Sequence, residues 1–270
     1  EFKCLSYVII DEQHKFGVKQ REALQFKGKN PDILLMSATP IPRSLALTLF
    51  DDLDISFIRT MPEGRIPVST YLAKHGNEDK VYQFIKKELE LGRQAYFVYP
   101  LISSSEKLDL KDVSSMYDEL KRVFMEYNIG IVHSKLSSDL KEEVMKDFYN
   151  KNIDILIATS VIEVGIDCKN ANCMVIGNSE RFGLSTLHQI RGRIGRGNIK
   201  SYLFLLYKEP LSEASKLRLK TIKENIDGFK IAEEDLKLRG PGNLFGLEQS
   251  GYLKLKIASF IENKDSLLQI

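Results

Sequence analysis

A chain of 270 residues that is 43% hydrophobic can bury about two cores of ordinary domain size. Its 39 basic and 37 acidic residues nearly cancel, so bulk charge does not mark it as a polyanion binder, and no apolar run reaches the roughly 18 residues of a membrane span. Cys4, Cys168 and Cys173 lack the spacing of a metal site or disulfide framework and read as reduced thiols of a cytoplasmic protein.

The opening EFKCLSYVII has neither a basic leader nor a cleavage pattern, so no signal peptide is expected. It starts inside what reads as a strand, as a truncated domain would. YVII (7–10) is a short apolar run that ends in two acids, Asp11 and Glu12. Residues 17–31 carry Lys, Arg, Glu and Ala at helical density before a Gly/Asn/Pro stop, and DILLMSA (32–38) is a second apolar run. That is strand–helix–strand, the unit of a parallel sheet. Residues 41–54 predict a helix with Leu45, Leu49 and Leu53 on one face, and ISFIRT (55–60) predicts a strand. MPEGRIPV (61–68) holds two prolines and a glycine and is the best domain boundary in the chain.

A second α/β series follows. Strands are predicted at 68–73, 94–102, 129–134, 153–160, 173–178 and 201–208, with helices at 77–92, 105–127 and 137–150. Beyond about 209 the chain is helical and charged, then glycine-rich. Residues 211–228 predict a helix ending at Gly228, and 231–240 a shorter one stopped by Gly240 and Pro241. The expected domains are therefore 1–62, 63–208 and 209–270.

Four motifs carry chemistry. Asp11 at a strand end can hold Mg²⁺, and Glu12 can orient a water attacking a γ-phosphate. Two solvated acids leaving the core would look the same. In SATPIPRSLA (37–46), Ser37 and Thr39 can bond the acidic loop or the backbone, in an otherwise ordinary strand-to-helix turn. In VIEVGID (161–167), Gly165 permits close backbone approach and Asp167 can bond a ribose hydroxyl or a neighbouring loop. QIRGRIGRG (189–197) is the sharpest signal: Arg193 and Arg196, three apart, fall on one helical face among glycines costly to a helix. A phosphate is the natural partner of a guanidinium fork. Residues 181–220 also hold nine Lys/Arg against two acids, a local surplus that suits a polyanion or a solvated face.

In order and spacing, these four motifs resemble superfamily 2 helicases over nearly the whole chain. DEQHKFGVKQR, MSATPIPRSLALT, ERFGLSTLHQIRGRIGRG and the tail DGFKIAEEDLKLRGPGNLFGLEQSG (227–251) resemble the RecG family. The resemblance implies tandem RecA-like parallel-sheet motor domains, the first truncated, with a C-terminal helical hairpin and loop. It makes Asp11 and Glu12 the acidic pair of an ATP site, Asp11 on Mg²⁺, with Gln13 and His14 coupling the nucleotide to the second domain. Gly165, Asp167 and Gln189 face the nucleotide, and Arg193 and Arg196 are arginine fingers. Ser37 and Thr39 link hydrolysis to DNA movement, while Arg239 and Gln249 lie in the translocation motif. The implied cofactors are ATP and Mg²⁺, and the implied partner is branched or duplex DNA, bound by a monomer without a membrane. VHSKLS (132–137) departs from the family's HG after the strand by Ser134.

No GxxxxGK[ST] occurs; GRIGRGNI (192–199) has Asn-Ile where Lys and a hydroxyl residue belong. The expected reading is a motor segment with residues for ATP hydrolysis but without the phosphate-binding loop, inactive alone. A coupling-factor-type duplex translocase, an RNA helicase and a DNA-binding module without ATPase activity are the alternatives. Gln13 and Pro241 favour the RecG family over the coupling factor.

Overall fold

The computed structural model describes residues 5–12, 31–37, 54–61, 64–100, 106–159 and 168–239, with the backbone alone for 106–114 and 239. Two parallel sheets organise them. β1 (Tyr7–Ile10) pairs with β2 (Asp32–Leu35), Ile10 opposite Leu35. The larger sheet has six strands: β3 (Ser69–Lys74), β4 (Gln94–Tyr99), β5 (Ile129–Val132), β6 (Ile155–Thr159), β7 (Ala171–Ile176) and β8 (Tyr202–Tyr207). Their order is β3-β8-β7-β4-β6-β5, and every pairing is parallel.

Parallel strands need crossovers, and helices supply four of them: α1 (Glu78–Glu90), α2 (Glu106–Val123), α3 (Ser138–Tyr149) and α4 (Leu184–Arg191). β4, β6 and β7 are buried along their whole length, as expected when helices cover both faces. Side-chain alternation splits the core in two. Ala95, Phe97 and Tyr99 of β4 meet Val81, Tyr82, Ile85 and Leu89 of α1 and Leu120 and Phe124 around the end of α2. Tyr96 and Val98 face the opposite layer, with Phe148 of α3 and Leu184, Leu187 and Ile190 of α4. That layer continues into a helical hairpin, α5 (Glu213–Glu224) and α6 (Gly228–Arg239), through Leu219, Ile222 and Ile231. Ser137 and Ser212 cap α3 and α5, each hydroxyl accepting a backbone N–H from the first turn.

Three expectations are corrected. ISFIRT belongs to no sheet, and residues 54–59 run without regular structure. Phe57 packs instead on Phe229 of α6, with ring centroids 5.7 Å apart. β7 begins at Ala171, two residues early. The polar Asn172 is tolerated there because its amide donates to Glu88 Oε2 (2.6 Å) and the Lys200 carbonyl (3.3 Å). Gly228 starts α6 rather than ending α5, which stops at Glu224 because Asn225 adopts extended backbone, φ −116° and ψ 130°. The helices expected over 17–31 and 41–54 lie almost wholly outside the described residues, as does the tail from 240.

Candidate functional site

The acidic pair sits at the carboxyl end of β1, where parallel sheets carry ligand sites. Glu12 has φ +50°, a left-handed conformation that costs a non-glycine residue roughly 1 kcal/mol. Its own N–H donates to Asp11 Oδ1 at 2.8 Å, which holds the turn. The Met36 N–H donates to the Ile10 carbonyl at 2.8 Å, so β2 ends level with β1 and brings Ser37 beside the acids. An exposed aspartate oxygen at a strand end fits Mg²⁺, which takes few protein ligands and keeps waters and phosphate oxygens. Among the described residues no group of three His, Cys, Asp or Glu assembles a closed metal cage.

The arginine turn belongs to the other sheet. Here the sequence expectation fails in one respect: Arg193 and Arg196 do not share a helical face, because α4 ends at Arg191 with Gly192 as its cap. Gly195 has φ +73°, and a Cβ there would lie 2.8 Å from Val68 Cγ2. At Gly197 it would lie 3.0 Å from the Lys169 carbonyl oxygen. The glycines therefore form a tight, packed turn, with Ile194 buried as its anchor. Gln189 and Arg193 are half-buried beside it. Arg196 is exposed and donates from Nε to the Gly192 carbonyl at 3.0 Å.

Arg191 has a different task. It is 5% exposed and lies across the turn of the hairpin. Nη1 donates to the carbonyls of Ile222 and Asn225, both at 2.8 Å, and Nη2 to that of Ile226 at 3.3 Å. Nη2 also bonds His188 Nδ1 at 3.0 Å. At the other end of α4, the Ser185 hydroxyl donates to buried Asp235 of α6. An anion thus sits near the start of α4 and a cation at its end, both favourable to the helix dipole. The hairpin is clamped to the helix that carries the arginine turn.

Residues 78–198 match the family model for the helicase conserved C-terminal domain, and 225–270 match ATP-dependent DNA helicase RecG, domain 3, C-terminal. The whole chain is 71% identical to an ATP-dependent DNA helicase RecG of Borreliella burgdorferi. It is 48% identical over 268 residues to that of Bacillus subtilis. A structure of RecG bound to a three-way DNA junction superposes with a TM-score of 0.75 at 44% identity, over 99% of this chain. The chain belongs to the RecG family. It spans 39% of the length of both RecG relatives and 34% of the RecG chain in that structure. A Saccharomyces cerevisiae Dbp5 structure, 14% identical with a TM-score of 0.56 over 87% of this chain, shares the fold alone.

The RecG-specific match begins at Asn225, one of the residues whose carbonyl Arg191 binds. Arg191, His188 and Asp235 were not singled out from the sequence, yet a signal existed. Arg191 stands seven residues after Leu184 on the buried stripe of α4, and Asp235 stands four after Ile231 on that of α6. A charged residue on an apolar stripe requires partners. Gln13, His14, Thr39, Gly165, Asp167 and Gln249 lie outside the described residues, and Arg239 is the last residue of α6.

His188 supplies a pH prediction. Burial first, then Arg191 and Arg65, push its pKa down to about 4, with Asp227 opposing. Arg191 can only donate, so His188 Nδ1 accepts and the ring is neutral. The unfolded chain binds this proton near pH 6.5 and the folded one near 4. Its contribution is therefore complete above 6.5 and is lost as pH falls toward 4. Urea midpoints should drop between pH 7 and 5 in the wild type and drop less in His188→Gln. Equal drops in both would assign the slope to other groups.

Proposed function

We propose that the complete protein is an ATP-dependent DNA helicase that remodels branched DNA such as stalled forks and Holliday junctions, and that this chain supplies the hydrolytic and coupling half of its motor. The clamp between α4 and the hairpin carries this reading. A motor must convert closure around a nucleotide into displacement along DNA, and here one rigid helix joins the arginine turn to a separate helical arm. The proposed domains are the end of motor domain 1 (1–62), motor domain 2 (63–208) and the hairpin with its loop and tail (209–270).

Asp11 would hold Mg²⁺, and Glu12 orient the attacking water. Gln13, His14, Ser37 and Thr39 would report the nucleotide state from the first domain. Gly165, Asp167 and Gln189 would contact the nucleotide from the second, where Arg193 and Arg196 stabilise charge developing on the phosphoryl group. ATP with Mg²⁺ supplies the free energy when bound; the residues named position it and its water. Arg239 and Gln249 would couple this cycle to duplex DNA. A cytoplasmic monomer is the simplest setting.

The test is the complete protein on a labelled three-way junction with ATP and Mg²⁺. ATP-dependent strand separation is expected. Junction binding with no turnover would favour a binding module, and displacement of a triplex strand without junction unwinding a coupling-factor-type translocase.

A second outcome concerns the arm. Arg239→Ala or Gln249→Ala should leave more than about half of the DNA-stimulated ATPase but cut unwinding roughly tenfold, equivalent to about 1.4 kcal/mol of barrier. Parallel loss of both activities with a lowered melting temperature would make Arg239 a helix-end residue only.

A further inference from the structure

The segment joining the two sheets contacts the hairpin and the arginine turn separately. Residues 54–61 make no sheet, yet their side chains alternate: Ile55 and Phe57 are half-buried, while Ile58 is 88% exposed. Side-chain contacts, not a backbone ladder, hold this strap. Phe57 meets Phe229 in the first turn of α6 edge-to-face at 5.7 Å, an arrangement favoured by the ring quadrupoles. The Arg59 guanidinium lies 5.7 Å from the centre of the same Phe229 ring and 6.0 Å from that of Phe57. Phe229 also stands next to the residues gripped by Arg191, with its N–H donating to Asp227 at 2.8 Å. Further on, Arg65 lies close enough to His188 to lower its pKa, and the Ile66 carbonyl and Val68 side chain press on the space over Gly195. Val68 then leads directly into β3, where the Ser69 N–H donates to the Ser201 carbonyl at 2.9 Å.

We propose that this strap is a second transmission path: Phe57 and Arg59 are positioning residues that set the hairpin through Phe229 while Ile66 and Val68 set the arginine turn. The inference rests on the motor reading above. A displacement carried along the strap reaches the hairpin through Phe57 and the arginine turn through Val68, without passing through α4. The contacts suit such a role. An edge-to-face pair under a guanidinium can slide without breaking a buried hydrogen bond, whereas the Gly195 turn is too close-packed to yield.

The experiment compares Phe57→Ala, Phe229→Ala, their double variant and Phe57→Tyr in the complete protein. Expected for each single alanine variant are a melting temperature within about 4 °C of wild type and a kcat for ATP hydrolysis within about twofold. ATP consumed per base pair unwound should rise about fivefold or more. The double variant should be no worse than either single, because the two rings act as one unit, and Phe57→Tyr should restore coupling. Additive losses, an unchanged coupling ratio, or parallel decline of ATPase and unwinding with melting temperature would overturn the proposal. Amide exchange provides the independent arm. Phe57→Ala should speed exchange at 229–232, and Val68→Ala should speed it at 194–197; unchanged exchange at either stretch overturns the strap. If the wild type itself hydrolyses no ATP on junction DNA, the motor reading falls, and with it the strap's proposed role, even where the exchange result stands.

Discussion

Arg196→Ala in the complete protein is expected to lower kcat for ATP hydrolysis by on the order of 10³-fold or more while changing junction affinity by less than about threefold. The turn is built to present this side chain. Ile194 is buried in the core, Gly195 takes a left-handed conformation against Val68, and Gly197 lies on the Lys169 carbonyl. Between those fixed points Arg196 remains exposed, its Nε donating to the Gly192 carbonyl. A guanidinium aimed by its own turn loses little on meeting a phosphoryl group, which is what makes an arginine finger effective. Arg196→Lys should recover little, since a lysine keeps the charge but not the fork. Single-turnover ATPase and fluorescence anisotropy on junction DNA decide the matter. Collapse of DNA affinity with preserved turnover per bound complex would assign Arg196 to the DNA surface.

Arg191→Ala should act through stability first. The change removes the shared donor of three backbone carbonyls and leaves His188 Nδ1 without that partner. Charged hydrogen bonds of this kind are worth about 1.5–3 kcal/mol each but are not additive, and Asn225 and Ile226 can regain water. A loss of about 2–4 kcal/mol is expected, or roughly 5–15 °C in melting temperature for a unit of this size. Burial lowers the Arg191 pKa to about 10, so it is still charged at neutral pH. Arg191→Met separates packing from hydrogen bonding: it should be nearly as destabilised as the alanine variant. A methionine variant within about 1 kcal/mol of wild type would show that side-chain volume, not the carbonyl clamp, holds the hairpin.

The elements of the larger sheet were legible from local pattern. β4, β6 and β7 are continuous apolar runs, and α1 carries its core residues at helical spacing, so each could be placed to within a few residues. The motifs were legible as patterns, an Asp-Glu pair after a strand and paired arginines among glycines. ISFIRT was misread because its alternation of half-buried and exposed residues is that of a strand, and alternation does not say whether a neighbouring strand exists to pair with. The arginine turn was misread for a related reason. Spacing of three suggests one helical face, but the helix already ends at Arg191, and the close approach of Val68 and Lys169 requires Gly195 and Gly197 in the turn that follows.

The sequence by itself therefore determined the parallel α/β class, the order of its strands along the chain, and which residue types stand at the strand end and in the glycine turn. These depend on periodicity and on chemistry local to a few residues. Only the tertiary structure decided which charged residues are structural. Arg191 and Arg196 are both arginines of one motif, five positions apart. One is buried because the hairpin presents three carbonyls to it, and the other is exposed because a glycine turn lifts it away from the core. That division is set by backbone groups distant in sequence, whose hydrogen-bonding needs appear only once α4, α5 and α6 have packed.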